Sequence, residues 1–402
     1  MDRCALASKV ILKSVQIKLL VIRLKSLPPF DRGKVKMKTL LRLLLKSQHQ
    51  RNRSGPDQTE KGMTLVELLV GSIMAFLIVT PMLTFVVDML NTDRREQVKS
   101  NTEQDIQAAA DFISQDLSQA IYIYDNNPAT TSTPTTTPTG IPAIRSQLPN
   151  NGDSNRIPIL VFWKQQPRKN SIPFNPKVAE TVTPKTCDLP SNAGKCDDTY
   201  VLSLVAYYQF KETDPNSIWC QPSGGTCPTR IARYEITDGI RDPNATSMAD
   251  LYYSDTETKD TQQRDLAFNP DFDFTKPTVN VTVPTELTNP KSGATKPQVL
   301  VNYIDHSTGP AVTGTECQTA LGNPIDQRTA TPIGEATLRI PSPDDGVNSF
   351  YACVNTEKNL ARVTIRGNSL RRLQTDANYD PNKLAFFPTA TVQVQGIGAL
   401  GK

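Results

Sequence analysis

Hydrophobic and polar positions fall along the chain in three unlike stretches. The first is an uncharged run from Leu68 to Val87, LLVGSIMAFLIVTPMLTFVV, 20 residues long. Coiled as a helix it spans roughly 30 Å, the thickness of a bilayer hydrocarbon core. The second runs from Asn91 to Tyr124 without Pro or Gly. In it Ile106, Ala109, Ala110, Ile113, Leu117, Ala120, Ile121 and Tyr124 recur at three- and four-residue spacing, while Asp105, Gln107, Asp111 and Gln115 fill other faces. The spacing predicts a long helix that continues out of the apolar run, with a packed stripe on its outer half. Together the two stretches predict about 55–60 helical residues, roughly 85 Å. Strict heptads are absent, which argues against a coiled coil.

The third stretch alternates short apolar runs with polar insertions. Ile157–Trp163, Tyr200–Phe210, Ile231–Ile236, Val299–Ile304, Ala336–Ile340, Leu360–Ile365 and Thr389–Gln395 are rich in β-branched or aromatic residues and bounded by Pro, Gly, Asn or Asp. Each predicts a strand. No helical pattern recurs between them, so an antiparallel sheet is expected rather than βαβ units. Polar insertions at about 165–198, 238–297 and 306–333 separate the strands. Asn126 to Pro142, NNPATTSTPTTTPTGIP, has no hydrophobic face and reads as a loop or extended linker. The fold class expected is α+β.

Charge splits the chain at the same boundary. The net +4 averages two parts. Residues 1–62 hold 15 Lys/Arg against 4 Asp/Glu, and residues 63–402 hold 29 against 36. A main body of net −7 is a poor match for nucleic-acid phosphates, so no nucleic-acid partner is expected. Basic residues ahead of the apolar run, including Arg51, Arg53 and Lys61, favour a cytoplasmic N-terminus and an exported body. Only two histidines are present, His49 and His306, which excludes most His-dependent catalysis.

Cys4 lies in the basic leader; Cys187, Cys196, Cys220, Cys227, Cys317 and Cys353 lie in the body. There is no C-x-x-C pair and no nearby His to complete a zinc pattern. Three disulfides in an oxidising compartment are the economical reading. Six cysteines admit fifteen connectivities. The sequence-nearest set is favoured: Cys187–Cys196, Cys220–Cys227 and Cys317–Cys353. The rival is six reduced thiols.

The decisive motif precedes the apolar run. The chain reads Glu60-Lys61-Gly62-Met63-Thr64-Leu65-Val66-Glu67-Leu68. A glycine stands at the polar-to-apolar junction, and Glu67 is the single carboxylate at the mouth of the run. This resembles the class III signal of type IV pilins and type II secretion pseudopilins: a basic leader ending in Gly, a hydrophobic residue next, and Glu as the fifth mature residue. The resemblance implies cleavage after Gly62 by a membrane prepilin peptidase and N-methylation of Met63, where Phe is more usual. It implies that the Glu67 carboxylate pairs with the α-amino group of Met63 on a neighbouring subunit. A charge that merely snorkels from a simple anchor is the rival reading of Glu67. Pro81 removes a backbone hydrogen bond inside the run and loosens or kinks the helix there, slightly earlier than is usual in pilins.

The implied organisation is a leader at 1–62, a transmembrane half-helix at 63–90, a periplasmic half at 91–125, a Thr/Pro-rich linker at 126–142 and a β-rich head at 143–402. The leader is long for this family. Met37 opens a 26-residue basic leader and is the suspected true start, the alternative being an amphipathic extension on the inner membrane face. Tyr207, Tyr208 and Arg230–Tyr234 resemble the aromatic strand, turn and Leu/Ile-x-Arg strand of J- or W-type minor pseudopilins. The leader style and head size resemble the hormogonium polysaccharide secretion pseudopilins of filamentous cyanobacteria. A minor, non-enzymatic subunit is implied, with a tip or initiation role in a filament serving secretion or motility. Its partners would be other pilin or pseudopilin subunits, the prepilin peptidase and an inner-membrane platform with its ATPase. No cofactor is expected. The rival class is an extracytoplasmic enzyme or glycan-binding protein on an uncleaved anchor.

Other motifs carry less. Gly396-Ile397-Gly398-Ala399-Leu400-Gly401 fits G-x-G-x-x-G, but no helix can follow it, so a flexible tail is expected. Asp376, Asn378, Asp380 and Asn382 have calcium-loop spacing, but Pro381 stands where the turn glycine belongs. The acidic stretch Asp238 to Asp273 reads as solvated surface, and His306 as a surface residue.

Overall fold

The computed structural model describes residues 64–127, 140–174, 182, 186–187, 189–242, 245–247, 251–253, 264–310, 314–342 and 348–398. The leader, the Gly62–Met63 junction, the core of the Thr/Pro segment at 128–139 and the tail at 399–402 lie outside them. The chain divides into two compact units, Met1–Thr80 and Pro81–Lys402. Among described residues the first unit consists of Thr64 and the opening turns of one helix.

That helix, α1, is Leu65–Ser118, 54 residues, with Pro81 inside it. Its buried residues are Thr102, Ile106, Ala109, Ala110, Ile113, Asp116 and Leu117, the stripe that the three- and four-residue spacing marks. The helix stops earlier than its spacing suggests. Ala120–Ile123 form strand β1 rather than a further turn, with Tyr122 opposite Trp163 and Ile123 opposite Phe162. The sheet therefore begins before the Thr/Pro segment. The Thr/Pro-rich segment, expected as a loop or an extended linker, has its described ends close to one another. The Ile141 amide donates to the Asp125 carbonyl at 2.8 Å, and a Cβ on Gly140 would lie 2.4 Å from the Asn127 nitrogen. Its two described ends are thus held together.

The first sheet is antiparallel in the order β1, β2 (Arg156–Pro173), β3 (Cys196–Lys211), β4 (Thr229–Thr237) and β5 (Gln298–Ile304). Alternation along each strand gives the sheet two faces. From one face Lys164, Tyr207 and Arg233 reach α1. On the other, Trp163 stacks on Phe272 at 4.1 Å and meets Phe268 and Phe274 edge-on at 5.8 and 5.9 Å. Those three phenylalanines come from the 238–297 insertion, whose described part at 264–297 thus gives the sheet a second cover. The 165–198 insertion is likewise shorter than the sequence suggests, because β2 and β3 run through both of its ends.

The second sheet is antiparallel in the order β6 (Arg339–Ile340), β7 (Phe350–Asn355), β8 (Leu360–Arg366) and β9 (Thr389–Gln395). Two departures from expectation occur here. The run Ala336–Ile340 is mostly a helical turn, Glu335–Leu338, with strand only at its end. Phe350–Asn355, buried at all six residues, is a strand that alternation could not mark. An isolated bridge between Ile304 and Gly367 links the sheets. Gly367 also lies where a Cβ would meet Thr102 at 2.8 Å and Ile106 at 3.2 Å, so α1 abuts both sheets. The described part of the tail is packed: Gly396 donates to the Asn359 carbonyl, and the Asn359 amide donates to the Gly398 carbonyl at 2.9 Å.

Candidate functional site

The first turn of α1 is built by its own sequence. Thr64 precedes the helix, and its side-chain oxygen accepts from the Glu67 amide at 3.3 Å. Thr-x-x-Glu is the capping-box pattern, and it fixes where the helix starts. An acid in the first turn also meets the positive end of the helix dipole. Glu67 is exposed, and among the described residues its carboxylate has no hydrogen-bond or ion-pair partner. Gly62 and Met63, the other two members of the motif, lie outside the described residues.

From Leu65 to Leu90 eighteen large apolar side chains are exposed. Among the described residues α1 is the one helix long and apolar enough to cross a membrane; its 18-residue window has mean hydropathy 2.2 and is 0% buried. A core helix would have covered these side chains. The segment is compatible with a single-pass anchor. Pro81 leaves the Leu77 carbonyl without its usual donor. Ser72 and Thr80 return their hydroxyls to the carbonyls of Leu69 and Phe76, both at 2.8 Å, which suits polar side chains with no water to bond.

The other end of α1 carries a buried charge cluster that sequence reasoning missed. Asp116 accepts from Lys164 Nζ at 2.8 Å, from Arg233 Nε at 2.7 Å and from the Tyr207 hydroxyl at 2.6 Å. Glu235 closes the cluster, 3.2 Å from Lys164 and 2.7 Å from Arg233. Burial alone would raise the Asp116 carboxyl, but Arg233, Lys164 and Tyr207 outweigh it and hold it below its ordinary value. Glu235 is lowered in the same way, burial being overcome by Arg233 and Lys164. Burial and the Asp116 charge push the Tyr207 hydroxyl upward, so it remains a donor. Two acids, two bases and a phenol thus satisfy one another and lock α1 to β2, β3 and β4. The available signal was an acid three residues after Ile113, inside the apolar stripe.

The six body cysteines form three disulfides, Cys187–Cys196, Cys220–Cys227 and Cys317–Cys353. This is the sequence-nearest set. No family model, curated protein or solved structure matches this chain. The chemistry must therefore be read from its own residues. A surface hollow of about 400 Å³ is lined in part by Gln165, Tyr200, Asp238 and Arg241. Its carboxylate is already engaged, by the Gly239 amide, the Tyr252 hydroxyl and Arg241. His306 is half-buried rather than free on the surface, with Nε2 3.0 Å from Asn378 Oδ1. Among the described residues no group of three His, Cys, Asp or Glu side chains is placed to hold a metal. Asp380 accepts from the Asn382 amide at 2.9 Å, as an ordinary turn does.

Proposed function

We propose that this chain is a minor pilin-like or pseudopilin-like subunit, non-enzymatic, whose work is assembly. The leader is removed after Gly62, and Met63 becomes a methylated N-terminus on the cytoplasmic side of an inner membrane. The apolar half of α1 crosses that membrane with the disulfide-bonded head outside. A platform and its ATPase then draw the subunit into a short filament, where the bulky head favours a tip or initiation position. The filament supports polysaccharide or protein secretion and motility.

One observation carries the reading. A single continuous helix is covered by its own head on the outer part and bare on the inner part, and the one acid at the mouth of the bare part has no partner among the described residues. An unpaired carboxylate beside lipid is costly. A neighbouring subunit's α-amino group would neutralise it and fix the axial register. The Thr64 cap supports this further, because cleavage after Gly62 leaves a chain that enters the helix within two residues.

Mass analysis of the N-terminus of membrane-extracted protein tests the proposal. A chain starting at methylated Met63 is the expected result. Mature protein that retains residues 1–62 overturns it and returns the simple anchor.

A further inference from the structure

Four strands end the two sheets: β1, β5, β6 and β9. A sheet edge presents unpaired backbone groups, and proteins guard it by shortness, bulges, charge or proline. Three of these edges are guarded. β1 has four residues and a register shift between Ala120 and Tyr122. β6 has two residues. β5 pairs with β4 through two register shifts, and Lys296 stands just before it.

Within its own length β9 has none of these devices, and Pro388, just before it, turns its backbone to β8, its carbonyl accepting from the Gly367 amide at 2.9 Å. Thr389–Gln395, TATVQVQ, is seven residues long with no charge and no proline. Its register with β8 is unbroken from Arg366 opposite Thr389 to Leu360 opposite Gln395. Among the described residues no backbone atom of Thr389–Gln395 bonds a strand other than β8.

The polarity of β9 is symmetric about Val392. Thr389, Thr391, Gln393 and Gln395 are exposed, while Ala390, Val392 and Val394 are buried or half-buried. An antiparallel copy centred on Val392 sets polar residues against polar and apolar against apolar, with no like charges opposed. The same register carries Ile397 past the strand end to lie opposite residue 387 of the second copy. Ile397 is 76% exposed, and Leu384, three residues before Phe387, is 58% exposed. Ile397, exposed just past the strand, thus stands at each end of the seam.

We infer that β9 pairs antiparallel with β9 of a second copy of this chain, about a two-fold axis at Val392. The two four-stranded sheets become one of eight strands, and the contact closes on itself. The inference does not rest on the filament reading, since it concerns the head edge and not the helix.

The test uses the full chain in detergent micelles. Cys4→Ser removes the remaining thiol, and Val392→Cys is added. Mild oxidation gives a covalent dimer, whereas Gln298→Cys on the guarded β5 edge gives little. Thr391→Lys with Gln393→Lys, at two exposed positions, opposes like charges across the seam and lowers the Val392→Cys dimer about tenfold without moving the thermal midpoint. Ile397→Glu lowers it by a smaller factor. If Val392→Cys disturbs folding, a mixture of Thr391→Cys and Gln393→Cys chains replaces it, and these must cross-link with one another. A dimer no more abundant than the Gln298→Cys control, or one that the lysines leave undiminished, overturns the inference.

Discussion

Glu67 and Asp116 are two acids on one helix, each set among apolar residues. Asp116, 8% exposed, has a lysine, an arginine and a tyrosine hydroxyl within 2.8 Å. Glu67 is exposed, with no partner for its carboxylate among the described residues. A carboxylate taken out of water into apolar surroundings must be compensated. At Asp116 the head supplies the compensation from β2, β3 and β4. At Glu67 nothing in the described chain does. The contrast separates a helix end finished by its own fold from one for which the described chain supplies no partner.

The largest effect expected is at Asp116. Asp116→Ala leaves Lys164 and Arg233 buried with only Glu235 between them. Removing one partner of a buried ionic cluster costs about 3–5 kcal/mol. Denaturant unfolding of the detergent-solubilised chain should show that loss. Replacing the cluster as a unit, with Lys164→Met, Arg233→Met and Glu235→Gln added to Asp116→Leu, recovers most of it, because the desolvation of all four charges is then removed too. If Asp116→Ala unfolds at the wild-type midpoint, the cluster is not what fastens the helix.

A milder probe is pH. Asp116 and Glu235 both titrate below their ordinary values of 3.8 and 4.5 in the folded head. A depressed carboxylate contributes stability that is present above its unfolded value and lost as pH falls through its folded one. Stability from the cluster is therefore intact at neutral pH and falls away below about pH 4. Asp125 opposes this trend, since burial raises its carboxyl and its contribution fades as pH rises. The denaturant midpoint should drop between pH 5 and pH 3, with a shallower drop in Asp116→Asn. Equal acid slopes in the two proteins would contradict the assignment.

The same contrast explains what the sequence could and could not disclose. The buried stripe Ile106–Leu117 was legible because one helix face repeats every 3.6 residues. Ala120, Ile121 and Tyr124 kept that spacing by coincidence, while pairing with β2 took Ala120–Ile123 into the sheet. Tertiary contacts override local pattern where a strand edge is available. Phe350–Asn355 escaped because burial on both faces erases alternation. The phenylalanines over Trp163 were hidden for another reason: three apolar residues in a long polar insertion have no period to report. The Asp116 cluster joins residues 48 and 117 positions apart, and no local pattern encodes that. The near-sequence disulfides were accessible because closing a short loop costs little entropy.

The smallest effect on stability is expected at Glu67, and it is the most informative. Glu67→Ala keeps the Thr64 cap, since the bond to Thr64 comes from the backbone amide. It removes only a first-turn acid from the helix dipole, about 0.3–1 kcal/mol felt at a helix start that nothing else in the described chain touches. The head should unfold at the wild-type midpoint, with its three disulfides intact. Under the proposed assembly the yield of sheared filament nevertheless collapses, because in that reading the lost partner is on another subunit. A head destabilised by Glu67→Ala would mean the two acids do the same job. Undiminished filament yield would mean that Glu67 waits for nothing, and that its place at the lipid boundary is only that of a first-turn acid on a plain anchor.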